Sequence, residues 1–226
     1  IVGETIDYGP CAFMDEYNPK TVFSSIDKTG RYSYINQPLI AQWNLARFAE
    51  TILFLIDKDK DKAVKKAEKI IKKFKTNYDN KWLLMMKSKI GLINNHKNDL
   101  SLINELLNIM HIYKLDYTNT FQDLKNDSLK KYKFLDQWFE KYKERKKCEK
   151  TSKKFKEELI ANANPIIIPR NHIVEKYIKE AENKKYDNLY KFLKIIRNPY
   201  KKQVIPEILK IPPNQNEKII ATYCGT

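Results

Sequence analysis

The chain has 226 residues, of which 42% are hydrophobic and 31% charged, and it carries a formal net charge of +15. This length and hydrophobic content suffice for one folded domain and exclude a wholly disordered chain. The most apolar window, residues 39–56, contains two amides and two charged side chains, so we expect neither a membrane span nor a secretory signal, and the sequence indicates a soluble chain.

The positive charge is carried almost entirely by lysine. A lysine-rich surface gains affinity for nucleic acids by releasing phosphate counterions, but arginine makes most bidentate base and phosphate contacts. We therefore interpret the charge as a solvated surface, and nucleic acid is not an expected partner. A lysine-rich helical module that binds nucleic acid or a protein, without catalysis, remains the alternative function. The arginines are Arg31, Arg47, Arg145, Arg170 and Arg197.

The N-terminal segment differs from the rest of the chain. Residues 1–7 (IVGETID) predict a short β-hairpin at the N-terminal edge, and residues 8–37 predict a long loop, packed because it is rich in apolar and aromatic side chains. The order of Asp7, Tyr8 and Gly9 is similar to the Asp-Phe-Gly element with which kinases hold Mg²⁺. In isolation, three such residues are more often an ordinary turn.

Proline and glycine define the helical part of the chain. Every proline lies outside residues 39–164, and Gly91 is the one glycine inside that block. Since both residues interrupt helices, we expect the block to be mostly helical. Asp99 is expected to cap one of these helices. Apolar residues at spacings of three and four predict helices over 39–56, 63–75, 81–92, 100–114, 129–142, 172–182 and 186–196.

One acidic motif has the spacing of a calcium-binding loop. Asp57, Asp59 and Asp61 occupy alternate positions, as the oxygen ligands of such a loop do. Lys62 stands where that loop needs glycine, so we predict a charged helix start instead. The cysteines and histidines show no zinc-ligand spacing.

His172 and the tryptophans also have competing interpretations. His172 has the chemistry of a general base, but no nucleophile or carboxylate lies at a recognisable spacing from it, so local structural bonding is preferred. Trp43, Trp82 and Trp138 lie on apolar helix faces, which assigns them to the core rather than to base stacking.

Several longer blocks resemble one known family. They are IVGETIDYGPCAFMDEYNPKTVFSSIDKTGRYSYINQPLIAQWNLARFAETI, LDYTNTFQDL, ANPIIIPRNHIVEKYIKEA, RNPY and the terminal YCGT. Together they look like the C-terminal half of the selenoprotein O (SelO) family and cover the chain nearly end to end. The resemblance implies a protein adenylyltransferase that transfers AMP from ATP, with Mg²⁺ or Mn²⁺, to Ser, Thr or Tyr hydroxyls of proteins.

The resemblance also implies a fold and an organisation. The expected fold is mainly α: the helical C-lobe of a protein-kinase-like fold, with the short β-hairpin at its N-terminal edge. Residues 1–37 would form the metal-binding turn and an activation-segment-like loop. Residues 38–198 would form the helical body of the C-lobe, and residues 199–226 an extended C-terminal tail.

Carried over by position, Asp7 would be the metal-binding acid, and Tyr8 and Gly9 would shape its turn. The family's catalytic base, its second metal ligand and its nucleotide-binding cations precede the position of Ile1. We therefore expect no catalytic base in this chain, which would be a fragment that is inactive alone. Its expected partners are ATP, protein substrates and the missing N-terminal half, and its expected location is the cytoplasm in a bacterium, or the mitochondrion in eukaryotic relatives.

The resemblance suggests a redox function for two cysteines. Family members end near a redox-capable cysteine, and Cys224 in YCGT occupies that region. We hypothesise that Cys224 forms a disulfide with Cys11, which follows the predicted metal turn. Two free thiols in a reducing cytoplasm are the open alternative.

Overall fold

The computed structural model describes residues 12–125, 128–219 and 221–222. Within these ranges α1 and α2 lie along the first half of α3, whose second half packs on α4 and α7, while α4 packs on α6 and α8 on α9. No helix in the described part is both long and apolar enough to cross a membrane. The helices are α1 (Gln37–Thr51), α2 (Leu53–Ile56), α3 (Lys60–Lys89), α4 (Asp99–Ile112), α5 (Tyr117–Lys125), α6 (Asp136–Lys147), α7 (Lys153–Ala163), α8 (Asn171–Glu182) and α9 (Asp187–Ile196).

The predicted fold class needs one correction. The structure is mainly α, as expected, at 62% helix, but the described ranges contain no strand or sheet and the β-hairpin is not seen. The segment predicted to form it, residues 1–7, lies outside the described residues. The nearest approach to a sheet is one isolated antiparallel bridge between Glu16 and Asp116. On one side of the bridge the chain enters α5 at Tyr117, and on the other Lys114 has a left-handed φ of 52°.

The helix predictions are confirmed best where the apolar periodicity is strong. The helices predicted over 172–182 and 186–196 are observed as α8 and α9. The prediction missed α5 and α7, which are short and mostly polar. The helix predicted over 39–56 is interrupted at Ile52, whose φ of −116° leaves the helical range and separates α1 from α2.

Helix α3 is one 30-residue helix where the sequence predicts two, over 63–75 and 81–92. The polar stretch between them contains neither proline nor glycine, so nothing there stops a helix about 45 Å long. The start of α3 confirms the predicted charged helix start. Asp59 is the N-cap, and its carboxylate accepts hydrogen bonds from the backbone N–H groups of Asp61 and Lys62 at 3.0 and 3.2 Å.

The end of α3 is set by glycine. Gly91 has a φ of +72°, a left-handed conformation that costs other residues energy. The N–H of Leu92 donates to the carbonyl of Lys87 at 2.9 Å, and the N–H of Gly91 donates to that of Ser88 at 3.2 Å. These two bonds form a Schellman motif, which satisfies carbonyls at the helix end.

Two hydrophobic clusters form the interior of the described residues. The larger joins the second half of α3 to α4, α5 and α6. Trp138 is fully buried there, and its indole N–H donates to the carbonyl of Leu102 at 2.9 Å. The smaller cluster joins α8 and α9 to Ile205 and Leu209 of the C-terminal segment.

The core assignment is confirmed for Trp138, and Trp82 is partly buried against the same cluster. For Trp43 it is wrong, because this side chain is about half exposed on α1. The guanidinium groups of Arg31 and Arg47 lie 4.7 and 5.5 Å from its ring centroid. These distances allow cation–π attraction.

A buried ion network holds the segment between α3 and α4. Arg145 donates from Nε to Asp99 at 2.6 Å and pairs through Nη1 with Glu149 at 2.8 Å, while Lys87 lies 3.4 Å from Asp99. Asp99 is the first residue of α4 rather than its cap, and its carboxylate accepts the N–H of His96. Although burial opposes ionisation, the bonds from Arg145 lower the pKa of Asp99. Two cations thus balance two anions.

The two left-handed glycines provide a matched test of this packing. A Cβ on Gly91 would lie 2.8 Å from Cδ1 of Ile160, whereas on Gly30, with a φ of +69°, its nearest neighbour would lie at 3.6 Å. We expect Gly30→Ala to lower the free energy of unfolding by about 1–2 kcal/mol, the cost of the left-handed backbone. Gly91→Ala should cost at least about 1 kcal/mol more, because it also overpacks the α3–α7 contact. Urea denaturation measures both, and equal losses would contradict the predicted clash.

Candidate functional site

The candidate site is built around the loop that follows the predicted metal turn. Backbone hydrogen bonds tie this loop to the segment between α4 and α5: the N–H of Tyr17 donates to the carbonyl of Leu115 at 2.9 Å, and that of Tyr117 donates to the carbonyl of Asp15 at 2.7 Å. Tyr17 is buried and stacks on Tyr117 with 5.7 Å between ring centroids. Burial, together with Tyr34, raises the pKa of Tyr17 to about 12. The predicted packing of the loop on the body is confirmed at this point.

Arg170 also ties the loop to the α4–α5 segment, through ion pairs with two carboxylates. This residue precedes α8, and its side chain is 1% exposed. The guanidinium is bidentate to Asp116, at 2.7 Å through Nη1 and 3.2 Å through Nη2, and Nη1 also donates to Asp15. Its planar fork suits such a double carboxylate contact better than an ammonium group would. One side chain therefore joins the loop, the α4–α5 segment and the start of α8; we call this set the Arg170 clamp.

The clamp has more negative than positive charge when its members are ionised. Burial raises the pKa of Asp15, the neighbouring Asp116 adds to that shift, and Arg170 opposes it. Burial also disfavours the charge on Arg170, but the hydrogen bonds and attraction of Asp116 and Asp15 outweigh it and raise its pKa. The guanidinium therefore stays charged, and its positive charge holds the two carboxylates together.

His172 lies beside the clamp. Its Nδ1 is buried and has no hydrogen-bond partner among the described residues, so the predicted local bonding through this atom is not seen. Burial lowers the pKa of His172, although Asp15 and Glu217 act in the opposite direction. The imidazole is therefore favoured in its neutral form, in which a ring nitrogen can accept a proton.

The C-terminal segment closes one side of the loop. The N–H of Ser25 donates to the carbonyl of Thr222 at 2.9 Å, and the N–H of Thr222 donates to the hydroxyl of Ser25 at 2.9 Å. The Thr222 hydroxyl donates to the carbonyl of Phe23 at 2.8 Å. Farther back, Lys218 pairs with Glu16 at 3.0 Å. These contacts join positions about 200 residues apart in the sequence.

A pocket of about 380 Å³ lies between these elements. Its wall carries carboxylates, hydroxyls, an imidazole and an ammonium group, and such groups can orient a polar ligand. The loop forming one wall directly follows the predicted turn at residues 7–9. The lining residues with polar side chains include Asp15, Glu16, Ser24, Ser25, His172 and Lys218.

The predicted site residues themselves lie outside the described part of the chain. This is so for Asp7, Tyr8, Gly9, Cys11 and Cys224. Their assigned metal, turn and redox functions therefore stay predictions.

The described residues do not form a metal site. They contain no group of three or more histidine, cysteine or acidic side chains placed to hold an ion. The nearest acidic pair, Asp15 and Asp116, is already bound by Arg170.

Comparison with known proteins identifies the family. A family model described as protein adenylyltransferase SelO matches residues 1–197. The chain belongs to the SelO family. The matched range contains the predicted turn, the loop and the whole Arg170 clamp.

Curated relatives of this SelO chain share a common name. Proteins named protein nucleotidyltransferase YdiU are 44% identical to it in Bacillus cereus (strain G9842), 46% in Clostridium beijerinckii and 45% in Pelagibacter ubique. Each alignment covers 100% of this chain but only 47–48% of the relative. The SelO chain therefore spans about half the length of the curated relatives it matches.

The sequence interpretation missed the clamp. Asp15, Asp116 and Arg170 all lie in the blocks that carry the resemblance, but none was assigned a function. One signal was available, because arginine is rare in this lysine-rich chain and is preferred for buried pairs with carboxylates. The partners of Arg170 could not be found from spacing, since they lie 155 and 54 residues away.

We expect Arg170→Ala to lower the free energy of unfolding by about 3–5 kcal/mol, because it leaves two partly buried carboxylates without their cation. Arg197, which is exposed, is the matched control, and Arg197→Ala should cost no more than about 0.5 kcal/mol. Urea denaturation at pH 7 compares them. Similar losses in both variants would show that the clamp does not stabilise the fold.

The environment of His172 predicts a pH dependence. Because its folded pKa lies below the usual 6.5, the unfolded chain binds the proton more readily as pH falls below about 6.5, and stability is lost there. The stability of the wild type relative to His172→Gln should therefore decrease between pH 7.5 and 5.5. Urea denaturation of both proteins at the two pH values measures this, and the other histidines cancel in the difference. A wild type that gains stability relative to His172→Gln on acidification would contradict the assignment.

Proposed function

We propose that this chain supplies one part of a protein adenylyltransferase that moves AMP from ATP to Ser, Thr or Tyr hydroxyls of proteins. The observation that carries the proposal is the unbroken family match over residues 1–197. The curated relatives named as protein nucleotidyltransferases, which align with the whole chain, support it. All of these relatives are bacterial, which supports action in the cytoplasm.

Within this proposal Asp7 is a ligand of Mg²⁺ or Mn²⁺, with Tyr8 and Gly9 shaping its turn, and the described helices belong to the C-lobe of a kinase-like fold. The Arg170 clamp supports this arrangement, because it anchors the loop that follows Asp7 within eight residues. Fixed geometry matters for such a reaction, since much of phosphoryl-group catalysis is positioning. The base and the nucleotide-binding cations would come from the half that the relatives have in addition. A disulfide between Cys11 and Cys224 would add redox control.

The position of the label in ATP tests the transfer. We define the joined protein as this chain with the unmatched half of the Clostridium beijerinckii relative placed before Ile1. With an acceptor protein such as casein, the joined protein should transfer label from ATP labelled at the α-phosphate and not from ATP labelled at the γ-phosphate. The chain alone should transfer neither. Transfer of γ-label, or transfer by the chain alone, would contradict the proposal.

Substitution of Asp7 tests its assigned function. In the joined protein, Asp7→Asn should reduce AMP transfer by at least about 100-fold, because a metal site contributes several kcal/mol of charge stabilisation. Asp79→Asn, which removes an exposed carboxylate from α3, should leave the rate unchanged. Equal rates for the two variants would remove Asp7 from the active site.

A further inference from the structure

Helices α1 and α2 carry large apolar side chains that are exposed to solvent. Neither helix contains a single buried residue. Three of their large apolar side chains are strongly exposed: Phe54 at 74%, Leu55 at 72% and Leu39 at 66%. We define the α1–α2 face as Leu39, Trp43, Leu45, Phe48, Phe54 and Leu55.

The contact with α3 accounts for only one side of these helices. Ala46, Ala49 and Leu53 face Val64 and Ala67 of α3 across a groove. Within α1, Phe48 lies about 160° around the helix from Ala46, at 100° per residue. Trp43 and Leu45 are 47% and 43% exposed. Large apolar side chains that are exposed away from a helix's contact side are typical of a surface that another element covers.

The charges on these helices point to an apolar partner. Arg47 and Glu50 are the only charged residues between positions 37 and 56. They pair with each other at 2.6 Å, so the two helices carry no net charge of their own. Arg31 of the preceding loop lies 4.7 Å from the ring centroid of Trp43, where its charge is engaged with the aromatic ring. The neighbouring helix α3, in contrast, presents many exposed lysines to solvent.

We infer that the α1–α2 face is the contact surface for the half of the SelO-family protein that this chain does not span. Each curated relative contains about as much additional polypeptide as matched polypeptide, which makes that half the available occupant. An exposed apolar patch of this kind marks a surface that is covered in the functional assembly. The inference rests on the proposed function only in taking that half as the partner.

Carbene footprinting tests the contact directly. In the chain alone, diazirine labelling of Leu39, Phe54 and Leu55 should be high. In the joined protein it should fall about fivefold or more as the face becomes covered. Val204 and Ile208, exposed at 96% and 56% on the C-terminal segment, are the matched control and should label equally in both. Unchanged labelling of the α1–α2 face in the joined protein would overturn the inference.

A double variant provides the second measurement. Phe54→Ser with Leu55→Ser should leave the melting temperature of the chain alone within about 1 °C, because both side chains are exposed there. In the joined protein the same change should lower the melting temperature by about 5 °C, since the buried contact is lost. Val204→Ser with Ile208→Ser should affect neither protein. An equal effect of the Phe54 and Leu55 changes in both proteins would overturn the inference.

Other occupants give different results. Concentration-dependent dimerisation of the chain, abolished by the Phe54 and Leu55 changes and retained in the joined protein, would assign the face to a second copy and overturn the inference. Binding of the joined protein to phosphatidylcholine vesicles, lost in the same variant, would assign it to a membrane and do the same. Protection of the face without AMP transfer would support the inference and count against the proposed function alone.

Discussion

The buried guanidinium of Arg170 is the interaction on which the candidate site depends. It attracts two carboxylates from distant parts of the chain, and the low polarity of its surroundings strengthens that attraction. Asp15 lies 155 residues before it and Asp116 lies 54 residues before it. Without this charge the two acids would repel each other. The loop, the α4–α5 segment and the start of α8 therefore meet because one cation is placed between them.

Arginine and lysine divide the positive charge of this chain according to their chemistry. Arg145 and Arg170 are buried and bound to carboxylates, and the guanidinium groups of Arg31 and Arg47 lie beside Trp43. Most lysines are exposed, and their ion pairs lie on the surface, where they contribute little. The scarce arginines are thus more informative about the structure than the large net charge.

The packing of the chain is uneven. Around α4, α5 and α6 the side chains of the larger cluster are buried. Trp138 within it is fully buried, and its indole N–H donates to a backbone carbonyl. Helices α1 and α2 contain no buried residue, although their sequence is the most apolar window in the chain. This open side lies next to the loop that follows the predicted metal turn, since Arg31 of that loop contacts Trp43 of α1.

Local periodicity and backbone restrictions were enough to predict the helical class, the end of α3 at Gly91 and the positions of α8 and α9. The blocks of the sequence also determined the family, which the comparison confirmed. Apolar periodicity predicted two helices where α3 is one, because the periodicity lapses over the polar middle although no proline or glycine stops the helix there. It also placed Trp43 in the core, because periodicity identifies an apolar face but not whether anything covers it. Only the tertiary structure could assemble the Arg170 clamp, as charges so far apart in sequence meet only through the fold.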